Sequence, residues 1–208
     1  LSGLSGTADY PFSITQSANG GGFFGWAMAA GDFNGDGTPD LVISDPAAAV
    51  VGHIYFYYGK SNDSAWWNVG PSDANHPSVN ADAVLIANGT YVGVNLLVAN
   101  VDGSGADELV ALDFNNNVKG YTGGGFSSDV VTEGVDLSAA WTIQPKAGAS
   151  GFGTYAKAMT SADVNGDGAA DLIFGDHLQQ HSVGDAFSGN GYGEVYVFSG
   201  ADLTGTSA

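Results

Sequence analysis

Short apolar runs, broken by glycine- and aspartate-rich turns, set the rhythm of this chain. Residues 12–15 (FSIT), 83–86 (AVLI) and 141–144 (WTIQ) are tetrads rich in β-branched or aromatic side chains. Residues 52–59 (GHIYFYYG), 116–123 (NNVKGYTG) and 193–200 (GEVYVFSG) are longer runs that end on Gly. Between the two kinds of run lies a bulky residue followed by Gly: Phe24-Gly25, Val92-Gly93 and Phe152-Gly153. An acidic loop then leads straight into a further apolar run. No segment keeps a 3.6-residue apolar period, and Gly interrupts every candidate helix. The pattern predicts short strands throughout.

The strands come in repeats. DFNGDGTPDLVI at 32–43 returns as DVNGDGAADLIF at 163–174, and a poorer copy, NVDGSGADELVA, occupies 100–111. The spacings, 68 residues (32 to 100) and 63 (100 to 163), suit one unit of four short strands, the content of a propeller blade. A sandwich shares the turn spacing but has no reason to repeat its sequence. The expectation is therefore an all-β fold built of three β-propeller blades in one repeat domain, 1–208. The units run over approximately 11–60, 83–124 and 141–200, with loop insertions at 61–82 and 176–192. Each unit reads outer strand, Gly turn, strand, acidic loop, strand, loop, strand. Closed propellers use four to eight blades, so three leave unpaired edges. Oligomerisation or missing sequence would complete the ring. Two chains in a six-bladed ring, a head-to-tail fibre and a piece of a larger propeller all fit.

Charge narrows the partners. Against 22 acidic residues stand Lys60, Lys119, Lys146 and Lys157 with no Arg, a net charge of −18. Nucleic acid and anionic membranes are poor partners for such a surface, whereas cations are good ones. Cys is absent, which excludes disulfides, thiol catalysis and thiolate-bound zinc. No stretch of 18 apolar residues occurs, so no membrane span is expected. The chain starts at Leu1 without a signal peptide, as a processed chain or an excised piece would.

The acidic loop followed by DLVISDP or DLIFGDH resembles the FG-GAP repeat, the blade unit of integrin α-subunit N-terminal propellers and of many surface proteins. The resemblance runs from about residue 11 to residue 200. It implies an extracellular or cell-surface propeller whose acidic loops join the first and second strands of a blade and hold Ca²⁺. The second unit departs from it, because ALDF at 111–114 lacks the Gly-Ala-Pro-like ending.

The loop chemistry agrees. Ca²⁺ takes six to eight oxygens and tolerates irregular geometry. Asp32, Asn34, Asp36 and Asp40 offer side-chain oxygens at alternate positions, with the Thr38 carbonyl as a further ligand. Asp163, Asn165, Asp167 and Asp171 with the Ala169 carbonyl form the second such set. Asn100, Asp102, Ser104 and Glu108 with the Ala106 carbonyl form a weaker third, having only two charged side chains. An EF-hand would need Glu at the twelfth position, where Ile43 and Phe174 stand. The same residues without metal make Asx turns. With it, the ion would be structural, offsetting carboxylate repulsion and adding roughly 3–4 kcal/mol when free Ca²⁺ is several hundredfold above Kd.

Other features carry less. Trp66 and Trp67 in the 61–82 insertion are placed to stack on sugars, which gives the alternative of a lectin-like propeller; packing into the blade is the plainer role. His177 and His181 beside Asp176 have metal-pair spacing only if the loop turns helical. Asn62 and Asn88 head glycosylation sequons, usable if the protein is a secreted glycoprotein. No nucleophile elbow, Walker loop, dinucleotide fingerprint or Cys-His pair is present. A non-enzymatic module is expected, acting in adhesion or as a self-assembling fibre or surface subunit. A hydrolase is the remote alternative.

Overall fold

The computed structural model describes residues 22–48, 52–59, 81–86, 91–124, 139–144, 158–176 and 194–204. Its strands are β1 (Met28–Gly31), β2 (Asp40–Asp45), β3 (His53–Tyr57), β4 (Ala83–Ile86), β5 (Asn95–Ala99), β6 (Glu108–Leu112), β7 (Val118–Tyr121), β8 (Trp141–Ile143), β9 (Met159–Ala162), β10 (Asp171–Asp176) and β11 (Glu194–Phe198). One short helix, α1 (Gly200–Thr204), follows them.

The strands form three antiparallel sheets, ordered β1-β2-β3-β4, β5-β6-β7-β8 and β11-β10-β9. Each is a meander, as short connections between neighbouring runs require. The fold is all-β, its sheets are those of propeller blades, and among the described residues they do not close into a ring. The first strands of successive sheets meet, β1 against β5 and β5 against β9.

Sheets and sequence units are offset by one strand. The AVLI tetrad opens the second unit, yet as β4 it pairs with β3 of the first sheet, Ile54 opposite Leu85. The WTI tetrad does the same as β8, with Val118 opposite Ile143. The first tetrad, 12–15, lies outside the described residues, as do the Phe152-Gly153 pair, Trp66, Trp67, Asn62, Asn88, His177 and His181.

Both faces of the first and second sheets are buried, which explains why their middle strands read as nearly unbroken apolar runs. Val42, Ile54 and Phe56 of the first sheet pack with Leu96, Leu109, Ala111 and Tyr121 of the second in one cluster. Val110, Leu112 and Val118 on the other side of the second sheet pack with Leu172 and Phe174 of the third. Each such side chain contributes about 1.5–3 kcal/mol by leaving water. The rear of the first sheet gathers Ile43, Tyr55 and Tyr57 around Phe24.

Glycines mark the crossings. Gly25 (φ 87°) and Gly93 (φ 98°) turn the chain into β1 and β5 in a left-handed conformation that favours Gly. Their amides donate to the carbonyls of Ser44 and Leu112, both at 2.9 Å. The glycine after each third strand has a different reason. A Cβ on Gly59, Gly123 or Gly200 would come within 2.2, 2.3 and 2.3 Å of the carbonyls of Pro39, Asp107 and Ala170.

Candidate functional site

The acidic loops all lie between the first and second strands of their sheets, at one edge of the sheet stack. In the first loop, Asp32 Oδ1 accepts from the Asp36 amide at 3.0 Å and Oδ2 from the Gly37 amide at 2.7 Å. Asn34 Oδ1 accepts from the Asp36 amide at 2.9 Å, and Asp36 Oδ1 from the Thr38 amide at 2.7 Å. Asn34 Nδ2 donates to Asp36 Oδ2 at 3.0 Å. Three side chains are thus drawn onto one short run of amides, and Gly35 (φ 75°) and Gly37 (φ 83°) let the backbone present them. The hydrogen bond from the Thr38 amide, followed by that from Asn34, holds the Asp36 carboxyl below the usual carboxylate range.

The third loop repeats this nearly bond for bond. Asp163 Oδ1 accepts from the Asp167 amide at 3.1 Å and Oδ2 from the Gly168 amide at 2.9 Å. Asn165 Oδ1 accepts from the Asp167 amide at 2.8 Å, and Asp167 Oδ1 from the Ala169 amide at 2.9 Å. Gly166 (φ 81°) and Gly168 (φ 91°) stand where Gly35 and Gly37 do.

The second loop is built with opposite polarity at its first position. Asn100 Nδ2 donates to the Ser104 carbonyl, so an amide donor occupies the place of the Asp32 and Asp163 acceptors. Asn100 Oδ1 is buried without a partner among the described residues. Asp102 Oδ1 still accepts from the Ser104 amide, at 2.6 Å. Only Gly103 (φ 70°) takes the left-handed conformation here; Gly105, in the place of Gly37, does not. This loop closes on its own carbonyls and places fewer acceptors inward.

The ninth-position acids have a place that the sequence did not disclose. Asp40, Glu108 and Asp171 are buried, and each fastens its loop to the sheet. Asp40 accepts from the Phe33 amide at 2.9 Å and from the Gly59 amide at 2.7 Å, one on each oxygen. Asp171 accepts from Val164 at 3.0 Å and Gly200 at 3.3 Å, and Glu108 from Val101 at 2.8 Å. Burial raises the carboxyls of Asp40 and Glu108 above their ordinary values, opposed by these amide bonds.

For a divalent ion, the donor chemistry of the first and third loops is suitable: hard oxygens from Asp32, Asn34 and Asp36, and from Asp163, Asn165 and Asp167. Among the described residues, however, no three His, Asp or Glu side chains stand together as a ready-made cage. The amide oxygen at the third position and loop carbonyls would have to complete any shell.

Two further acids escaped sequence reasoning. Asp113 accepts from the Asn115 and Asn117 amides, both at 2.9 Å, and so shapes the β6–β7 turn. Asp45, one repeat earlier, accepts from the Phe23 amide at 2.7 Å on Oδ1, while its buried Oδ2 has no partner among the described residues. The recurrent Asp five residues after each closing acid was the available signal.

The fold and loops define a propeller-blade protein with acidic first turns, and the comparisons agree. Residues 24–57 match the FG-GAP repeat. Integrin alpha-PS2 of Drosophila melanogaster is 29% identical over 202 residues, covering 92% of this chain. The chain spans 13% of that protein's length. It is an FG-GAP-containing, integrin α-like chain. Among the described residues, no helix is long and apolar enough to cross a membrane.

Proposed function

We propose that this integrin-like propeller module is an extracellular or cell-surface, non-enzymatic adhesion unit stabilised by Ca²⁺ in its first and third acidic loops. The observation that carries the reading is the near-identity of those two loops. Asp32, Asn34 and Asp36, and again Asp163, Asn165 and Asp167, are gathered on consecutive amides behind paired left-handed glycines. Side chains of like charge held that close favour a cation between them. When bound, the ion supplies charge neutralisation and cross-links the loop; it performs no chemistry on a substrate. The Thr38 and Ala169 carbonyls would add oxygens. The second loop, with its inverted first position, would bind more weakly.

Attachment of cells or extracellular-matrix proteins to the immobilised chain, measured in millimolar Ca²⁺ and in chelator, tests the reading. Calcium-dependent attachment that Asp36→Ala and Asp167→Ala abolish would support it. Attachment indifferent to both calcium and these substitutions would sink it.

A second reading, a self-assembling structural subunit, is favoured by the apolar residues left open at both ends of the sheet stack: Met28 at one, Val195 and Val197 at the other.

A further inference from the structure

Asparagine followed by glycine is a reactive pair. The glycine amide nitrogen can attack the asparagine Cγ, because no Cβ on the glycine obstructs the five-membered ring that forms. The attacking amide gives its proton to water, the Cγ–Nδ2 bond breaks, and the nitrogen leaves as ammonia after taking a proton from water. Water then opens the cyclic imide at either carbonyl, giving aspartate or isoaspartate. One water is consumed and one ammonia released, with no oxidation. Of the five Asn-Gly pairs in the chain, 34–35 and 165–166 lie among the described residues, in the first and third acidic loops.

The two loops prepare the carbonyl carbon alike. The Asp36 amide donates to Asn34 Oδ1 at 2.9 Å, and the Asp167 amide to Asn165 Oδ1 at 2.8 Å. In each loop a donor thus faces the oxygen on which charge develops during attack. The departing nitrogen is also held alike. Asn34 Nδ2 donates to Asp36 Oδ2 at 3.0 Å, and Asn165 Nδ2 to Asp167 Oδ2 at 2.8 Å. Both segments read Asn-Gly-Asp-Gly.

The attacking nitrogens differ. The Gly166 amide donates to Asp163 Oδ1 at 2.6 Å, a charge-assisted bond that must break before this nitrogen can turn on its neighbour. In the first loop Asp32 Oδ1 takes the Asp36 amide, at 3.0 Å. The amide of the exposed Gly35 has no acceptor among the described residues. Asn165 Nδ2 is held a second time, by Asp171 Oδ1 at 3.4 Å. No such second bond holds Asn34 Nδ2 among the described residues.

We infer that Asn34 is a site of spontaneous deamidation in the folded chain, whereas Asp163 and Asp171 protect Asn165. The modification changes the loop that carries it. An oxygen replaces the Nδ2 donor opposite Asp36 Oδ2, so a clasp becomes a contact between two carboxylates. In the isoaspartate product the main chain runs through Cγ and gains a methylene, which moves the Asp36 and Gly37 amides away from Asp32. The first loop is opened with age while the third keeps its bonds. The inference goes beyond the adhesion reading and needs no ion in either loop.

To test it, the full chain is incubated in chelator at mildly alkaline pH, folded and, in parallel, in denaturant. Peptide mass spectrometry assigns the amide-to-acid change to each residue over time. In denaturant the two Asn-Gly-Asp-Gly segments are expected to react at nearly equal rates. In the folded chain Asn34 is expected to react about tenfold faster than Asn165, the rate factor to which one hydrogen bond to a carboxylate corresponds. A folded-chain ratio no greater than the ratio in denaturant would overturn the inference. Asp163→Ala frees the Gly166 amide and is expected to close most of the gap; a folded variant that keeps the gap would overturn the protecting role of Asp163. Asn34→Asp installs the direct product in every molecule and is expected to lower Tm in chelator. An unchanged Tm would overturn the opening of the loop. None of these readouts depends on Ca²⁺ or on attachment, so failure here is distinct from failure of the adhesion reading.

Discussion

Asp32 and Asp107 hold each other across the first two sheets. The Asp107 amide donates to the Asp32 carbonyl, and the Asp32 amide donates to Asp107 Oδ2, both at 2.8 Å. The next junction keeps only the backbone half, from the Ala170 amide to the Asn100 carbonyl at 2.8 Å, because Ala170 has no carboxylate. Close packing accompanies the first link: a Cβ on Gly31 would sit 2.2 Å from Val98 Cγ1 and 2.7 Å from Asp107 Oδ2. The acidic loops are thus chained sheet to sheet, and their chemistry is coupled to blade packing.

Asp107→Ala strands the Asp32 amide and is expected to cost about 1–2 kcal/mol. In a chain of this size that lowers Tm by roughly 2–8 °C. Asp107→Asn keeps an acceptor and should cost less. Thermal unfolding followed by circular dichroism decides; an unchanged Tm in the alanine variant would remove the side chain from the account of how the sheets are joined.

The closing acids should be more sensitive still. Asp40→Ala leaves the Phe33 and Gly59 amides without their buried acceptor, at about 1–3 kcal/mol for each amide. Asp40→Asn retains the shape but presents an NH₂ to one of two donors, so it should recover only part of the loss. Denaturant unfolding in chelator isolates this effect from any ion. If Asp40→Ala unfolds like the unmodified chain under those conditions, the carboxylate has no structural part and is free to serve as a ligand alone.

Removal of divalent cations should lower Tm, and calcium should restore it. Asp36→Ala and Asp167→Ala are expected to abolish most of the calcium-dependent rise, whereas Ser104→Ala in the inverted second loop leaves it nearly intact. Scanning calorimetry with calcium and with chelator measures all three. Equal losses in the three variants would place an ion in the second loop as firmly as in the others.

Tyr57 offers a gain. Its hydroxyl is buried without a hydrogen-bond partner among the described residues. Such a group gives up its hydration for nothing, so Tyr57→Phe is expected to stabilise the fold by about 1 kcal/mol. A lower denaturation midpoint in the variant would show that the hydroxyl has a partner after all.

What the sequence disclosed was whatever a local pattern can encode. Alternation of apolar runs and Gly-Asp turns marked the strands, and D-x-N-x-D-G-x-x-D marked two loops whose side chains fold back on their own amides. What it hid depends on neighbours distant in the chain. Nothing local separates Asp36, exposed on the loop, from Asp40, buried and gripping Gly59, because the distinction is made by the end of β3. The AVLI tetrad looks like the start of a unit, and only its pairing with β3 shows that it finishes the preceding sheet. Asp107 sits in the poorest loop copy and draws its importance from Asp32, 75 residues away.

Tyr55 and Tyr57 of β3 give a test of the rear face of the first sheet, and Tyr58, just beyond β3, reports on the front. Burial pushes the Tyr55 hydroxyl up to about 12, helped by the charge of Asp45, and that of Tyr58 to about 12, helped by Asp40 and Asp82. Tyr57 is raised further by burial, then by Tyr55 and Asp82. A tyrosine whose folded value lies above its unfolded value of 10.0 favours the folded state fully only below pH 10. As pH rises from 10 toward 12 the unfolded chain ionises first, and that contribution is lost. Tyrosinate absorbance during alkaline titration should therefore rise in two phases, the later one coinciding with loss of the sheet signal in circular dichroism. A single phase near pH 10 with the sheets intact would mean that water reaches Tyr55 and Tyr57, and that the face behind the first sheet is open rather than packed.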